Sequence, residues 1–229
     1  MELKDKVVVI TGGSKGFGRA LAEAFIKEGS KVAICSNDKN EVENTAKEIG
    51  AVGVCADVVK EEEIKSLLQE SIKVFSKVDI WINNAGIQIA PSLIEDVDTK
   101  KLHNLFDINF FGYFYGCKTA IPYMKKQGSG VIVNINSTAG LEGKPEISAY
   151  SSSKFAIKGL TESIRKELKD SPIKIHGIFP GGMQTDIYKE KYPTDLKEYM
   201  EVNTVADKVI ANLKSDTPEI DLIIKRPTV

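Results

Sequence analysis

Short apolar runs rich in valine and isoleucine recur along the chain, at residues 7–10, 32–35, 52–55, 80–82, 131–135, 174–179 and 221–224. Within each run apolar residues follow one another instead of alternating with polar ones. That is the pattern of strands covered on both faces, as in a parallel sheet between helical layers. The intervening segments have helical period. In EEEIKSLLQESIKVF, residues 61–75, the side chains of Ile64, Leu67, Leu68, Ile72 and Phe75 fall along one stripe. Strand and helix therefore alternate, and with right-handed crossovers this order predicts an α/β fold. The expected product is one doubly wound parallel sheet of seven strands, helices on both faces, forming a single domain over residues 1–229 with its ligand crevice at the carboxyl ends of the strands.

Composition narrows the partners. A chain of 229 residues is long enough to bury a substantial core. Lys+Arg 31 against Asp+Glu 32 leaves a formal net charge of −1, which offers no basic footprint for nucleic acid or an anionic membrane. A small-molecule partner is expected. The opening MELKDKVVVI has too short an apolar run for a signal sequence or a membrane span, and a cytoplasmic protein is expected. Cys35, Cys55 and Cys117 are odd in number, widely spaced and without a C-x-x-C pair, so they read as reduced, mostly buried thiols. His103 and His176 lack acidic or cysteine neighbours at ligand spacing, and no metal is expected.

Two stretches carry chemistry. TGGSKGFG, residues 11–18, follows the first strand and opens the amphipathic RALAEAFIKEG. Glycines at 12, 16 and 18 permit a tight turn and let a pyrophosphate approach the backbone where the next helix presents its N–H groups, so a dinucleotide is the natural guest of this Rossmann-type arrangement. The spacing is G-x-x-x-G-x-G, not G-x-G-x-x-G. The second stretch is AYSSSKFA, residues 149–156, which sets Tyr150 and Lys154 four apart on one helix face. A phenol beside a fixed ammonium is expected to have its pKa pulled toward neutrality and to exchange a proton with substrate.

Taken in order, TGGSKGFG, Asp57 after the third strand, NNAG at 83–86, Asn109, Ser137, YSSSK at 150–154 and PGGMQT at 180–185 make the chain resemble the short-chain dehydrogenase/reductase family, in its compact single-domain branch, over nearly its whole length. The resemblance implies Tyr150 as general acid/base, Lys154 as its pKa-lowering partner and ribose anchor, Ser137 as the hydrogen-bond partner of the substrate oxygen, and Asn109 as support for a proton-relay water. It also implies cofactor contacts from Gly12, Ser14, Lys15, Gly16, Phe17 and Gly18, from Ser36 and Asn37 after the second strand, and from Asp57 and Val58 at the adenine. Asn83, Ala85 and Gly86 would line the adenosine ribose side, and Pro180, Gly181 and Thr185 the nicotinamide side. The implied function is an NADP(H)-dependent oxidoreductase acting on a carbonyl or secondary alcohol. The alternative from another class is a nucleotide-sensing binding protein without turnover, which would have no need of Ser137, Tyr150 and Lys154 together.

Cofactor choice turns on VAICSND at the end of the second strand. NAD-preferring relatives place an acid where this chain has Ser36, and Lys15 matches the basic residue by which many NADP-preferring members hold the 2′-phosphate. Asp38 is expected to cap the following helix. NADP(H) is therefore the expected cofactor, with NAD(H) also possible. The chain departs from the family pattern in ending EIDLIIKRPTV in place of a V-D-G-G tail, and in following Thr185 with the polar DIYKEKYPTDLKEYMEVN, a lid with few apolar residues. LFDINFFGYFYGC, residues 105–117, carries aromatics pointing too many ways for one core stripe. A homo-oligomer, dimer or tetramer, is expected through the helices containing residues 110–115 and 155–165.

Overall fold

All seven apolar runs are strands in the computed structural model, which describes residues 1–226. They are β1 (Val7–Thr11), β2 (Lys31–Ser36), β3 (Val52–Cys55), β4 (Ile80–Asn83), β5 (Gly130–Ile135), β6 (Ile173–Pro180) and β7 (Asp221–Ile224). β3 and β7 have the bounds that the apolar pattern predicts. The other five run one residue further at one end or both, because the hydrogen-bonded ladder continues into flanks such as Thr11, Ser36 and Asn83 that hydropathy does not count. Every neighbouring pair is parallel, in the order β3-β2-β1-β4-β5-β6-β7. The last three residues of the EIDLIIKRPTV tail lie outside the described residues.

The helices are α1 (Gly16–Lys27), α2 (Lys39–Ile49), α3 (Glu61–Phe75), α4 (Thr99–Phe106), α5 (Gly112–Gln127), α6 (Ser148–Glu167) and α7 (Val202–Lys214). Both sheet faces are dry. Val8, Ile10, Val32 and Ile34 pack with α1, α2 and α7, while Val7, Val9, Ala33 and Cys35 pack with α3, α5 and α6. Each fully buried Val, Leu or Ile contributes about 1.5–3 kcal/mol to folding, which is why strands of this kind read as unbroken apolar runs. α6 is tied to β7 by Arg165, whose guanidinium donates to both carboxylate oxygens of Asp221 at 3.1 and 2.8 Å. His176 is buried on β6 with its Nδ1 3.1 Å from the Glu219 carbonyl oxygen.

The aromatic segment is not one continuous α-helix. α4 stops at Phe106, a π turn covers Asp107–Phe111, and α5 begins at Gly112. The widened turn rotates the side chains that follow it, so Tyr113 is buried while Phe111 and Phe114 are 42% and 41% exposed. Such turns occur frequently at functional sites, and this one carries Asn109.

β1 lies at the point where the strand order reverses, with β2 on one side and β4 on the other. The loops leaving β1 and β4 therefore part in opposite directions and open a crevice between them.

Candidate functional site

The crevice floor is built by the loop after β1 clasping the loop after β4. Asn84 Nδ2 donates to the carbonyl oxygens of Thr11 and Gly12 at 2.9 and 3.0 Å. In return Thr11 Oγ1 accepts from the backbone N–H groups of Asn84 and Ala85 at 3.0 and 3.2 Å. Gly12 has φ +62°, and a Cβ there would stand 2.8 Å from the Ala85 Cα. At Gly18 a Cβ would fall 2.1 Å from the Gly12 carbonyl oxygen, so the glycines are what let helix, loop and β4 meet. Thr11 was not among the expected contacts, whereas Asn84 lies within the expected NNAG stretch. The signal for Thr11 is that it is the polar residue ending the apolar run of β1.

α1 starts from Lys15 with no side-chain cap and no acidic residue in its first turn. Its free N–H groups and positive dipole end face the crevice, an arrangement suited to an anion. Thr185 closes the opposite wall: a Cβ on Gly16 would lie 3.7 Å from its Cγ2. A cradle of glycines at a bare helix N-terminus fits the pyrophosphate of a dinucleotide.

Further along the crevice, Ser36 Oγ accepts from Asp38 N at 3.3 Å, and Asn37 is exposed. Asp38 does cap α2, accepting from Glu41 N at 2.9 Å, so its carboxylate is directed into that helix. Asp57 Oδ1 accepts from Val59 N at 3.2 Å, and Val58 is buried against Gly112. Phe17 is buried in the core beneath the loop. Asn83 turns its side chain away from the crevice. Its wholly buried side chain accepts from Trp81 Nε1 at 2.8 Å and donates to Asn134 Oδ1 at 2.8 Å, on the α5 side of the sheet. Only its backbone can face the crevice.

The expected catalytic residues come together where β5 and α6 meet. Tyr150 and Lys154 are buried at 9% and 4% exposure. The Lys154 Nζ stands 5.6 Å from the Tyr150 ring centroid and donates to the Ile135 carbonyl oxygen at 3.2 Å. Tyr113 donates its hydroxyl to the same carbonyl at 2.6 Å and presents its ring 5.4 Å from that ammonium. Ser137 caps the short turn Thr138–Gly140, its Oγ accepting from Ala139 N at 3.1 Å. A Cβ on Gly86 would lie 3.9 Å from Lys154 Nζ and 3.3 Å from Asn109 Oδ1, so the floor of the crevice runs into the Tyr150–Lys154 pair.

One expectation about this end needs correction. The i,i+4 spacing brings Lys154 to Tyr150, but it does not lower the phenol's pKa in this structure. Burial pushes the Tyr150 phenol up to about 12, with the Ser137 hydroxyl pulling the other way, and burial brings Lys154 down to about 7. Desolvation disfavours both charged forms. The surroundings of Tyr150 are apolar: Ile87, Ile89, Phe106, Ile147 and Ile187, from four separate segments, pack against the cluster of Leu105, Ala139 and Tyr150. The lid is pinned by Glu190, which accepts from Lys101 Nζ at 2.8 Å and from Ala90 N at 3.1 Å. Asn109 uses its whole amide internally: Oδ1 accepts from Ile87 N at 2.9 Å, and Nδ2 donates to Ile87 O at 2.9 Å and Ser153 Oγ at 3.1 Å. Of the thiols, Cys35 and Cys117 are buried and Cys55 is exposed.

Residues 6–196 match the short chain dehydrogenase family. The chain belongs to that family. Among its curated relatives is an uncharacterized oxidoreductase of Staphylococcus aureus, 34% identical over 211 residues that cover 91% of this chain and 90% of the relative. Another is General stress protein 39 of Bacillus subtilis, 32% identical and covering 95% of this chain and 73% of the relative. The fold of this short-chain dehydrogenase superposes on a 3-ketoacyl-(acyl-carrier-protein) reductase from Brucella melitensis complexed with NADH at TM-score 0.90, with 28% identity over 97% of this chain and 98% of that one. An alcohol dehydrogenase from the archaeon Thermococcus sibiricus, complexed with 5-hydroxy-NADP, superposes at 0.88 with 25% identity over 99% and 100% of the two chains. The protein is accordingly an oxidoreductase of the short-chain dehydrogenase family. Among the described residues no helix is long and apolar enough to cross a membrane.

Proposed function

We propose that this short-chain dehydrogenase interconverts a carbonyl compound and the corresponding secondary alcohol, using NADP(H) by preference and NAD(H) as a second cofactor, with the whole chain acting as one catalytic unit. The observation that carries the reading is the convergence of Ser137, Tyr150 and Lys154 at the end of the glycine-floored crevice, with Gly86 joining the two. A reduced nicotinamide bound there supplies the hydride. The remaining requirement is a proton for the oxygen, and Tyr150 holds one firmly at neutral pH because its phenol stays protonated well above that range.

In the reduction direction Ser137 Oγ donates to the carbonyl oxygen and polarises it. As the carbonyl carbon gains the hydride, negative charge grows on that oxygen and the Tyr150 hydroxyl transfers its proton to it. The phenolate left behind is stabilised by the neighbouring Lys154 in its ammonium form. Lys154, 4% exposed, donates to the Ile135 carbonyl and stands 5.6 Å from the Tyr150 ring centroid, within reach of that charge. Asn109 holds the Ile87 backbone and, through Ser153, the Tyr150 carbonyl, and so fixes the distance between crevice floor and catalytic helix. The isoleucine-rich surroundings of Tyr150 favour a substrate with an apolar group next to its carbonyl.

The preference for NADP(H) rests on Ser36, which places no carboxylate at the end of β2, on Asp38 being committed to its helix, and on Lys15 in the loop. Relatives crystallised with NADH and with an NADP derivative are consistent with either dinucleotide fitting the fold. Exposed Phe111, Phe114 and Phe155, at 42%, 41% and 44%, support a homodimer through α5 and α6. Light scattering would then give twice the chain mass of 25.1 kDa, and a stable monomer would remove the dimer. The activity itself is tested by following NADPH and NADH consumption with a panel of ketones and aldehydes of increasing apolar bulk. Steady consumption with at least one supports the reading, and none with any carbonyl or alcohol, in the presence of saturable cofactor binding, would favour a nucleotide-sensing protein.

A further inference from the structure

Lys15 has a partner that its place in the glycine loop does not disclose. Glu41, in the first turn of α2, sets Oε2 2.7 Å from Lys15 Nζ, and its Oε1 accepts from Ser14 Oγ. The arrangement is held from both sides. Glu41 N donates to Asp38 Oδ1 at 2.9 Å, which fixes the start of α2, and Thr45 Oγ1, one turn further along the helix, donates to the Ser14 carbonyl at 2.9 Å and ties that helix to the loop. Ser14 is buried and the Glu41 side chain is 29% exposed, whereas the Lys15 side chain is 67% exposed and free to turn. The other cations around this corner are matched elsewhere: Arg19 to Glu23 and Glu48, and Lys39 to Glu43. One carboxylate thus occupies both the hydroxyl and the ammonium that the loop could offer an anionic group.

We propose that Glu41 is an internal counter-anion which Lys15 must exchange for the 2′-phosphate of a phosphorylated dinucleotide, and that it thereby sets how strongly the protein discriminates between the phosphorylated and unphosphorylated cofactor. The inference rests on the reading above that a dinucleotide lies across the glycine loop with its adenosine toward Ser36. A 2′-phosphate and the Glu41 carboxylate are both anions competing for the same two donors, and the carboxylate also repels the phosphate directly. A plain 2′-hydroxyl makes no such demand and leaves the Lys15–Glu41 pair in place. Glu41 therefore lowers selectivity for the phosphorylated form below what Lys15 and Ser36 alone would give, which makes both cofactors usable.

The test uses 2′,5′-ADP and 5′-AMP as probes in isothermal titration calorimetry, with wild type, Glu41→Gln, Lys15→Met and the double variant, each checked for an unchanged thermal melt. Glu41→Gln is expected to tighten 2′,5′-ADP roughly fivefold to tenfold, the scale of one charge-assisted contact, and to change 5′-AMP less than about twofold. In the Lys15→Met background the gain is expected to shrink to less than about twofold, because there is no ammonium left to release. Glu41→Asp, which keeps the charge but is one methylene short of bridging both donors, should fall between wild type and Glu41→Gln and serves if the glutamine variant melts early. A gain undiminished by Lys15→Met would mean repulsion alone and would overturn the exchange. Equal gains for both probes, or none, would overturn it as well. Failure of either probe to bind any variant would strike the dinucleotide reading itself and the proposal with it, a result distinct from the others.

Discussion

Two lysines mark the two ends of the crevice, and they are governed by different physics. Lys15, at the adenosine end, is mostly exposed and sits 2.7 Å from a carboxylate. Lys154, at the chemical end, is 4% exposed, finds only a carbonyl oxygen at 3.2 Å, and titrates near 7. In water an ion pair is weak and easily exchanged, so the first lysine can trade partners with a ligand at little cost. In the dry interior the charge itself is expensive, so the second lysine takes its state from burial, and an anion arriving beside it is strongly favoured. On the proposed reading, the Lys15 end is tunable, whereas the Lys154 end is built on stored desolvation.

If that contrast holds, perturbing the chemical end should have the larger consequences. Tyr150→Phe keeps the ring in its apolar packing and removes the proton donor. Turnover should fall by roughly 10³-fold, within the range of general acid–base contributions, while cofactor affinity measured by fluorescence stays within about threefold of wild type. Near-normal rates in the purified variant would break the assignment.

Lys154→Met should abolish turnover and yet stabilise the fold. The lysine's folded value, about 7, lies below its ordinary one, so between the two the unfolded chain carries a proton that the folded protein lacks. Stability therefore rises with pH through that window, and the full penalty is present below pH 7. Removing the amine should add on the order of 3 kcal/mol at pH 6.5, seen as a Tm several degrees higher, and the gain should shrink by more than half at pH 9.5. A pH-independent difference would show that burial is not what sets this lysine.

Effects at the adenosine end should be smaller. Ser36→Asp is expected to move the ratio of kcat/KM for NADPH over NADH toward NADH by about tenfold, leaving kcat with the preferred cofactor within about twofold. A wild-type preference for NADH would mean that Ser36 does not face the ribose.

What could be read from sequence followed the range of the interactions. The strands were legible because both sheet faces are dry and an unbroken run such as VVVI has no other use. The Asp38 cap was legible because capping is local. The π turn before Gly112 was not, since nothing in DINFF distinguishes it from an ordinary turn. The inward turn of the Asn83 side chain was not legible, because its partner Asn134 is brought to it by the pairing of β4 with β5. Glu41 was missed altogether, as its contact with Lys15 spans 26 residues of chain. The Tyr150–Lys154 spacing identified the pair correctly but not its electrostatics. An i,i+4 rule knows the distance between side chains and not how much water surrounds them.

The claim that burial rules the chemical end is tested most directly by titrating Lys154 itself. Two-dimensional NMR of the lysine side-chain methylenes in labelled protein, with the signal assigned by its loss in Lys154→Met, should show Lys154 changing protonation with a midpoint of about 7. A Lys154 that stays an ammonium past pH 9 would contradict the account.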